Sequence, residues 1–262
     1  MAPRVRGTRR GGSPGVATAP AGAVVRSGTL ADVSPIDRRR GRFLTLEGPE
    51  GAGKTVLAER LADALLAEGT DVLLTREPGG TRLGERLRDL LLARDGPAID
   101  PLVDAFLFNA ARAQLVAEVI RPALEAGRVV VCARFADSTL AYQGYASGLD
   151  SNALRDLAAV ATGGLAPDRT ILLDLPVEAG LRRKAPDDHT RFEAAFDLEF
   201  HRRVRAGFLD LAGREPERFA VVDADRPIDA VFADVLAEAR AAIGADAGPP
   251  GEPAAPAARI PR

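Results

Sequence analysis

Phe43-Leu44-Thr45-Leu46-Glu47-Gly48-Pro49-Glu50-Gly51-Ala52-Gly53-Lys54-Thr55 decides the fold. A short apolar run leads straight into GxxxxGK[ST]. Leu57, Leu61 and Leu65 then recur at the i+4 spacing of an amphipathic helix. Strand, glycine-rich loop and helix in that order make a P-loop. The glycines let successive backbone N–H groups curl around a phosphate, and the helix N-terminus adds its partial positive charge. Lys54 supplies a compact ammonium for the β- and γ-phosphates, and the Thr55 hydroxyl is placed to ligate Mg²⁺. Gly48, Pro49, Glu50, Gly51, Ala52, Gly53, Lys54 and Thr55 are therefore the expected ATP-binding residues, with Thr55 the metal ligand. Only two of the 35 basic residues are lysines, Lys54 and Lys184, and one of them stands at this position.

Downstream the chain keeps alternating strand and helix. Val72–Leu74, Val129–Cys132, Thr170–Leu173 and Phe219–Val222 join Phe43–Leu46 as strand candidates. Most are continuously apolar, as parallel strands covered on both faces are. Leu83, Leu87, Leu90 and Leu91 mark another helix, a long one runs from Leu102 towards Ile120, and a further one covers about Thr190–Leu211. The pattern predicts an α/β fold with a parallel sheet.

The 262 residues divide unevenly in character. Residues 1–40 carry eight arginines against Asp32 and Asp37 in a Gly/Pro/Ala/Ser background without helical or strand period, which predicts a disordered basic arm. Arg9-Arg10 is followed by GGSPGVATAPAG, too broken by glycine and proline for an export core, so a cytoplasmic protein is expected. Residues 244–262 form a second loose tail, Pro/Ala-rich, leaving 41–243 as one folded domain. Basic and acidic residues nearly balance (35 against 37), which argues against nucleic acid as a partner. No apolar run reaches the ~18 residues of a membrane span. One cysteine, Cys132, and two histidines, His189 and His201, are too few for a Cys/His metal site.

Four further segments narrow the chemistry. They are Thr75-Arg76-Glu77-Pro78-Gly79-Gly80-Thr81, Phe106 to Gln114 (FLFNAARAQ), Arg134 to Gly144 (RFADSTLAYQG), and Pro167-Asp168-Arg169-Thr170 leading into Asp174. With GPEGAGKT, their order, spacing and wording resemble the thymidylate kinase family over about residues 42–240. The resemblance implies a five-stranded parallel sheet of the P-loop NTPase type, with helices on both faces and a mobile lid. It also implies transfer of the ATP γ-phosphoryl to dTMP, Mg²⁺ with ATP as the cofactor, and a homodimer.

The resemblance also gives individual residues work. Phe108 would stack on the thymine ring. Arg112, four residues on and so on the same helix face, would donate to a base carbonyl. Arg134 would clamp the acceptor phosphate with Arg76 nearby. Ser138 and Thr139 would read the base, and Tyr142, with Gln143 beside it, would crowd the 2′ position. Glu50 would reach the acceptor's 3′-hydroxyl. The position after Glu50 is Gly51 and not arginine, which matches the bacterial type, whose catalytic arginines come from the lid. The lid is expected at Arg182–Arg191, with Arg183 and Arg191 as the catalytic candidates beside Lys54 and Arg134.

The chain departs from the family at the end of the third strand, where Ala133-Arg134 stands in place of the usual Asp-Arg. Glu47, Glu50 and Asp174 are the carboxylates near enough in the predicted crevice to stand in for the missing one. The alternative reading of Ala133 is a nucleotide-binding relative with little or no turnover.

Overall fold

A computed structural model describes residues 41–184, 190–192 and 196–244; the expected basic arm, almost all of the C-terminal tail and the middle of the expected lid lie outside these residues. The five apolar runs are all strands: β1 (Phe43–Glu47), β2 (Val72–Arg76), β3 (Val129–Ala133), β4 (Arg169–Asp174) and β5 (Phe219–Asp223). They pair in parallel in the order β2-β3-β1-β4-β5. β1 is central, so both of its faces are covered and all five of its residues are buried.

The pleat sends alternate side chains to opposite faces. Leu44, Leu46, Val131, Ala133, Ile171 and Leu173 point to one face. There they pack on α1 (Lys54–Ala67), the helix that follows the P-loop, and on the C-terminal helix Ile228–Gly244. Phe43, Val130 and Cys132 point to the other face, against the end of α3 (Pro101–Leu115) and its continuation. That helix runs on past Leu115 through a π turn (Val116–Ile120) into α4 (Arg121–Glu125). The π turn falls just before Pro122, which has no N–H to give to a regular α-helical ladder.

The remaining helices are α2 (Arg82–Leu92), α5 (Ala136–Thr139), α6 (Ser151–Thr162), α7 (Val177–Arg183), α8 (Leu198–Arg214) and α9 (Ile228–Gly244), with a second π segment at Leu140–Ala146. The long helix expected over Thr190–Leu211 is broken: Arg191 and Phe192 are helical, Phe196 and Asp197 are not, and α8 begins at Leu198. Asp197 starts it: its side chain accepts the Phe200 N–H at 2.8 Å and caps the first turn.

Candidate active site

The C-terminal ends of β1 and β3, the first turn of α1, one face of α3 and the π segment after α5 enclose a cavity of about 870 Å³. Open parallel sheets bind ligands at this edge.

The P-loop forms one wall. Gly51 has φ 72°, and a Cβ there would lie 1.9 Å from the carbonyl oxygen of Gly180 on α7. Only glycine permits both the left-handed backbone and that approach. Gly53 (φ 86°) starts α1 with no side chain capping its N–H groups, so they are left for an anion. Lys54 is 8% exposed and donates to the carbonyls of Gly48 (2.9 Å) and Pro49 (2.6 Å). Burial and the Arg134 charge push its pKa well down, against Glu50 and Glu47. A polyphosphate in the loop would reverse that balance. Thr55 is exposed on the first turn of α1.

Glu50 links the P-loop to the middle of the cavity. Its Oε1 accepts from Arg134 Nη2 (2.5 Å) and from the Tyr142 hydroxyl (2.7 Å), and its Oε2 lies 3.5 Å from Lys184 Nζ. Burial pushes this carboxyl's pKa up, but the Arg134, Lys54 and Lys184 charges outweigh burial and hold it far below the usual range. Arg134 has φ 70°, the only left-handed non-glycine residue among those described. It also reaches Ser138 Oγ (3.2 Å) and lies over the Tyr142 ring. The Tyr142 ring in turn packs edge-on against Phe192, Phe200 and Phe208.

The far wall is aromatic with a buried charge. Phe108 and Arg112 both line the cavity, one helical turn apart as their spacing requires. Arg112 is 1% exposed and donates to Glu77 Oε2 (2.9 Å), Asn109 Oδ1 (2.9 Å), Phe135 O (3.1 Å) and Thr139 Oγ1 (3.0 Å). Burial raises the Glu77 pKa to about 7 against the pull of Arg112. Gln143 lines the wall too, its amide nitrogen bonded to Asp104 (3.0 Å).

This geometry agrees with what known proteins resemble the chain. A family model described as thymidylate kinase matches residues 46–235. The chain belongs to the thymidylate kinase family. The thymidylate kinase of Desulfovibrio desulfuricans is 53% identical over 210 residues, covering 78% of this chain and 95% of that one. That of Deinococcus radiodurans is 55% identical over 204 residues, covering 76% and 96%. A crystal structure of thymidylate kinase from Ehrlichia chaffeensis superposes with a TM-score of 0.63 at 34% identity, over 76% of this chain and 98% of that one.

Against this family member's sequence-based expectations, the structure gathers Glu50, Gly51, Ala52, Gly53, Lys54, Thr55, Phe108, Arg112, Arg134, Ser138, Thr139, Tyr142, Gln143 and Arg183 around one cavity. Gly48 and Pro49 contribute only the carbonyls that hold Lys54. Two expected residues stand elsewhere. Arg76 makes a two-pronged ion pair with Glu85 (2.9 and 3.0 Å) and is absent from the cavity wall. Arg191 is turned inward: it is 8% exposed and donates to Asp104 (2.6 Å) and the Leu91 carbonyl (2.8 Å). Lys184, which had no assigned role, sits beside Glu50, so Lys54 is not the only ammonium at the P-loop. Glu77, Arg88 and Phe192 also line the cavity. Glu77 and Phe192 flank motif residues and were within reach of the sequence; Arg88, on α2, carried no signal.

The carboxylates considered as stand-ins at position 133 are separated by the pleat. Ala133 shares the α1 face with Leu46 and Ala52. Glu47 and Asp174, one residue beyond Leu46 and Leu173, point to the opposite face, where Asp174 is gripped by Arg205 (2.7 and 2.8 Å). Neither shares the face of position 133, whereas Glu50, on the P-loop, lines the cavity.

Proposed function

We propose that the protein transfers the γ-phosphoryl group of ATP to dTMP, giving dTDP and ADP. The observation that carries this reading is the union in one cavity of a P-loop with Phe108, Arg112, Arg134 and Tyr142. The acceptor's phosphate oxygen attacks the γ-phosphorus as the bond to ADP breaks. That oxygen is already ionised near neutrality, so the protein needs no general base and contributes by positioning and by neutralising charge.

Lys54 leaves the Gly48 and Pro49 carbonyls for the β- and γ-phosphates. Arg134 exchanges Glu50 for the acceptor phosphate. This frees the Glu50 carboxylate, kept ionised by the surrounding cations, for the 3′-hydroxyl. Phe108 stacks on the base, Arg112 offers an N–H to a base carbonyl, and Ser138, Thr139 and Gln143 line the base and sugar. Tyr142, fixed by its ring of phenylalanines, fills the space a 2′-hydroxyl would need. Arg183, now on the Ala224 carbonyl and Asp225, is the lid arginine closest to service.

The donor set suits Mg²⁺ held mainly by substrate. Thr55 offers one hydroxyl on the loop, and among the described residues no group of three or more His, Cys, Asp or Glu could cage a metal. When bound, Mg²⁺ draws negative charge off the phosphates.

The protein works in the cytoplasm as a homodimer on this reading. Among the described residues no helix is long and apolar enough to cross a membrane. The homodimer is supported by exposed Leu102, Val103 and Phe106 on α3 with Val160 (82% exposed) on α6, an apolar surface suited to a second copy. The alternative of a relative with little turnover finds no support among the similar proteins.

Steady-state ADP release with ATP–Mg²⁺ and dTMP, dUMP, UMP, CMP or thymidine as acceptor tests the assignment. dTMP is expected to give the highest kcat/KM and UMP a poor one. Turnover of UMP equal to that of dTMP would remove the role given to Tyr142, and no turnover of dTMP would overturn the function.

A further inference from the structure

Glu47 is fully buried at the end of β1 and absent from the cavity wall. A carboxylate placed there must be satisfied by the protein, and three hydrogen bonds do so, all from the turn that follows β3. Oε1 accepts the N–H groups of Phe135 (2.7 Å) and Ser138 (3.2 Å), and Oε2 accepts the Ser138 hydroxyl (2.6 Å). The neighbouring residue of β1 holds the start of the same turn, with the Leu46 carbonyl accepting the Arg134 N–H at 2.9 Å.

The turn needs such holding. Arg134 sits at φ 70°, where a residue with a Cβ is strained and persists only if its surroundings over-determine the backbone. The Ser138 hydroxyl that donates to Glu47 also accepts from Arg134 Nη1 at 3.2 Å. Carboxylate, hydroxyl and guanidinium thus form one chain, from a buried anchor to the cation at the cavity. Glu47 points away from the face that Ala133 shares with the P-loop helix, so its hydrogen bonds reach the cavity through this turn, while its charge also acts on Lys54.

We infer that Glu47 is a positioning residue, holding the Arg134–Ser138 turn in the shape that presents the Arg134 guanidinium to the acceptor phosphate. The inference rests on the reading of Arg134 as the phosphate clamp.

Two substitutions separate reach from charge. Glu47→Gln keeps the length: its amide oxygen takes the two backbone N–H groups, and its amide N–H donates to Ser138 Oγ. Glu47→Asp keeps the charge but withdraws the carboxylate by one carbon–carbon bond. Calorimetric titration of each variant with dTMP and with thymidine, which lacks only the phosphate, reads the effect on Arg134 separately from the base pocket. Glu47→Asp is expected to weaken dTMP at least about tenfold with thymidine little changed, and Glu47→Gln is expected to bind dTMP within about threefold of the parent. The reverse order would assign Glu47 a charge role and overturn the inference. Equal loss of dTMP and thymidine would make it a core residue only, and no loss in either variant would remove it from the site. Arg134→Ala is the reference. If it keeps the preference for dTMP over thymidine, the clamp reading falls and the inference with it. If it loses that preference while Glu47→Asp keeps it, only the inference falls.

Discussion

Replacing Arg112 by alanine tests how the base side of the cavity is held. The variant leaves Asn109 Oδ1 and Thr139 Oγ1 without this donor, leaves the Phe135 carbonyl with the Ser138 N–H, and strands Glu77, whose Oε1 has no hydrogen-bond partner even in the parent. Removing one member of a buried ion pair costs about 3–5 kcal/mol. For a domain of this size that is a fall in Tm of roughly 6–20 °C. The cost also has a direction in pH. Burial has raised the Glu77 pKa from the ordinary 4.5 to about 7, and Arg112 opposes that rise. Without Arg112 the folded value climbs further while the unfolded value stays put. Between the two values the folded state binds more protons than the unfolded one, so stability falls as pH rises through that window. At about pH 8 the variant must therefore carry an unpaired buried charge or take up a proton. At about pH 5.5 Glu77 is protonated with or without Arg112, and only the lost hydrogen bonds remain, about 0.5–1.5 kcal/mol each. Urea denaturation at both pH values measures this, and the loss is expected to be larger at pH 8. Losses below about 1 kcal/mol at both would refute the buried-pair reasoning. Arg112→Met combined with Glu77→Gln should regain most of the pH 8 loss, because no charge is then left buried.

The other expectations are shorter. Arg183→Ala should lower kcat with dTMP affinity nearly intact, whereas Arg191→Ala should act through stability, because its partners are Asp104 and the Leu91 carbonyl; denaturation and steady-state kinetics on both variants distinguish the two. Ala133→Asp puts a carboxylate on the α1 face of the sheet beside the P-loop and should raise kcat by no more than about 10–100-fold in a Mg²⁺-dependent way. A flat or reduced kcat at every Mg²⁺ concentration would mean that the chain does not miss that carboxylate.

Legibility in the sequence tracked how local each determinant is. The P-loop is contiguous, and its strand, glycines and helix are readable together. The five strands were readable because a two-faced parallel strand is apolar throughout, and Phe108 and Arg112 because helical spacing puts them on one face. Where the fold chooses a side chain's partner, the sequence does not name it. Arg191 looked like a lid cation because its neighbours are charged, yet it pairs with Asp104, 87 residues away. Arg76 ends a strand, as a phosphate ligand would, but Glu85 on the next helix pairs with it. Asp197 is the local exception: its cap on the Phe200 N–H spans three residues, but the amphipathic pattern around it hides the break. The face to which Glu47 points depends on the parity of the pleat and on which turn β3 feeds, and only the assembled sheet supplies that.

The most direct test of phosphoryl transfer follows the phosphorus itself. ATP labelled in its γ-phosphate, mixed with excess protein, Mg²⁺ and dTMP in a single turnover, is expected to deliver the label to the β-phosphate of dTDP. Lys54→Ala should slow this more than about tenfold, even with Lys184 nearby, because Lys54 is held on the Gly48 and Pro49 carbonyls inside the loop whose N–H groups cradle the phosphates. Label recovered as free phosphate, or remaining in ATP while dTMP is bound, would contradict the assignment.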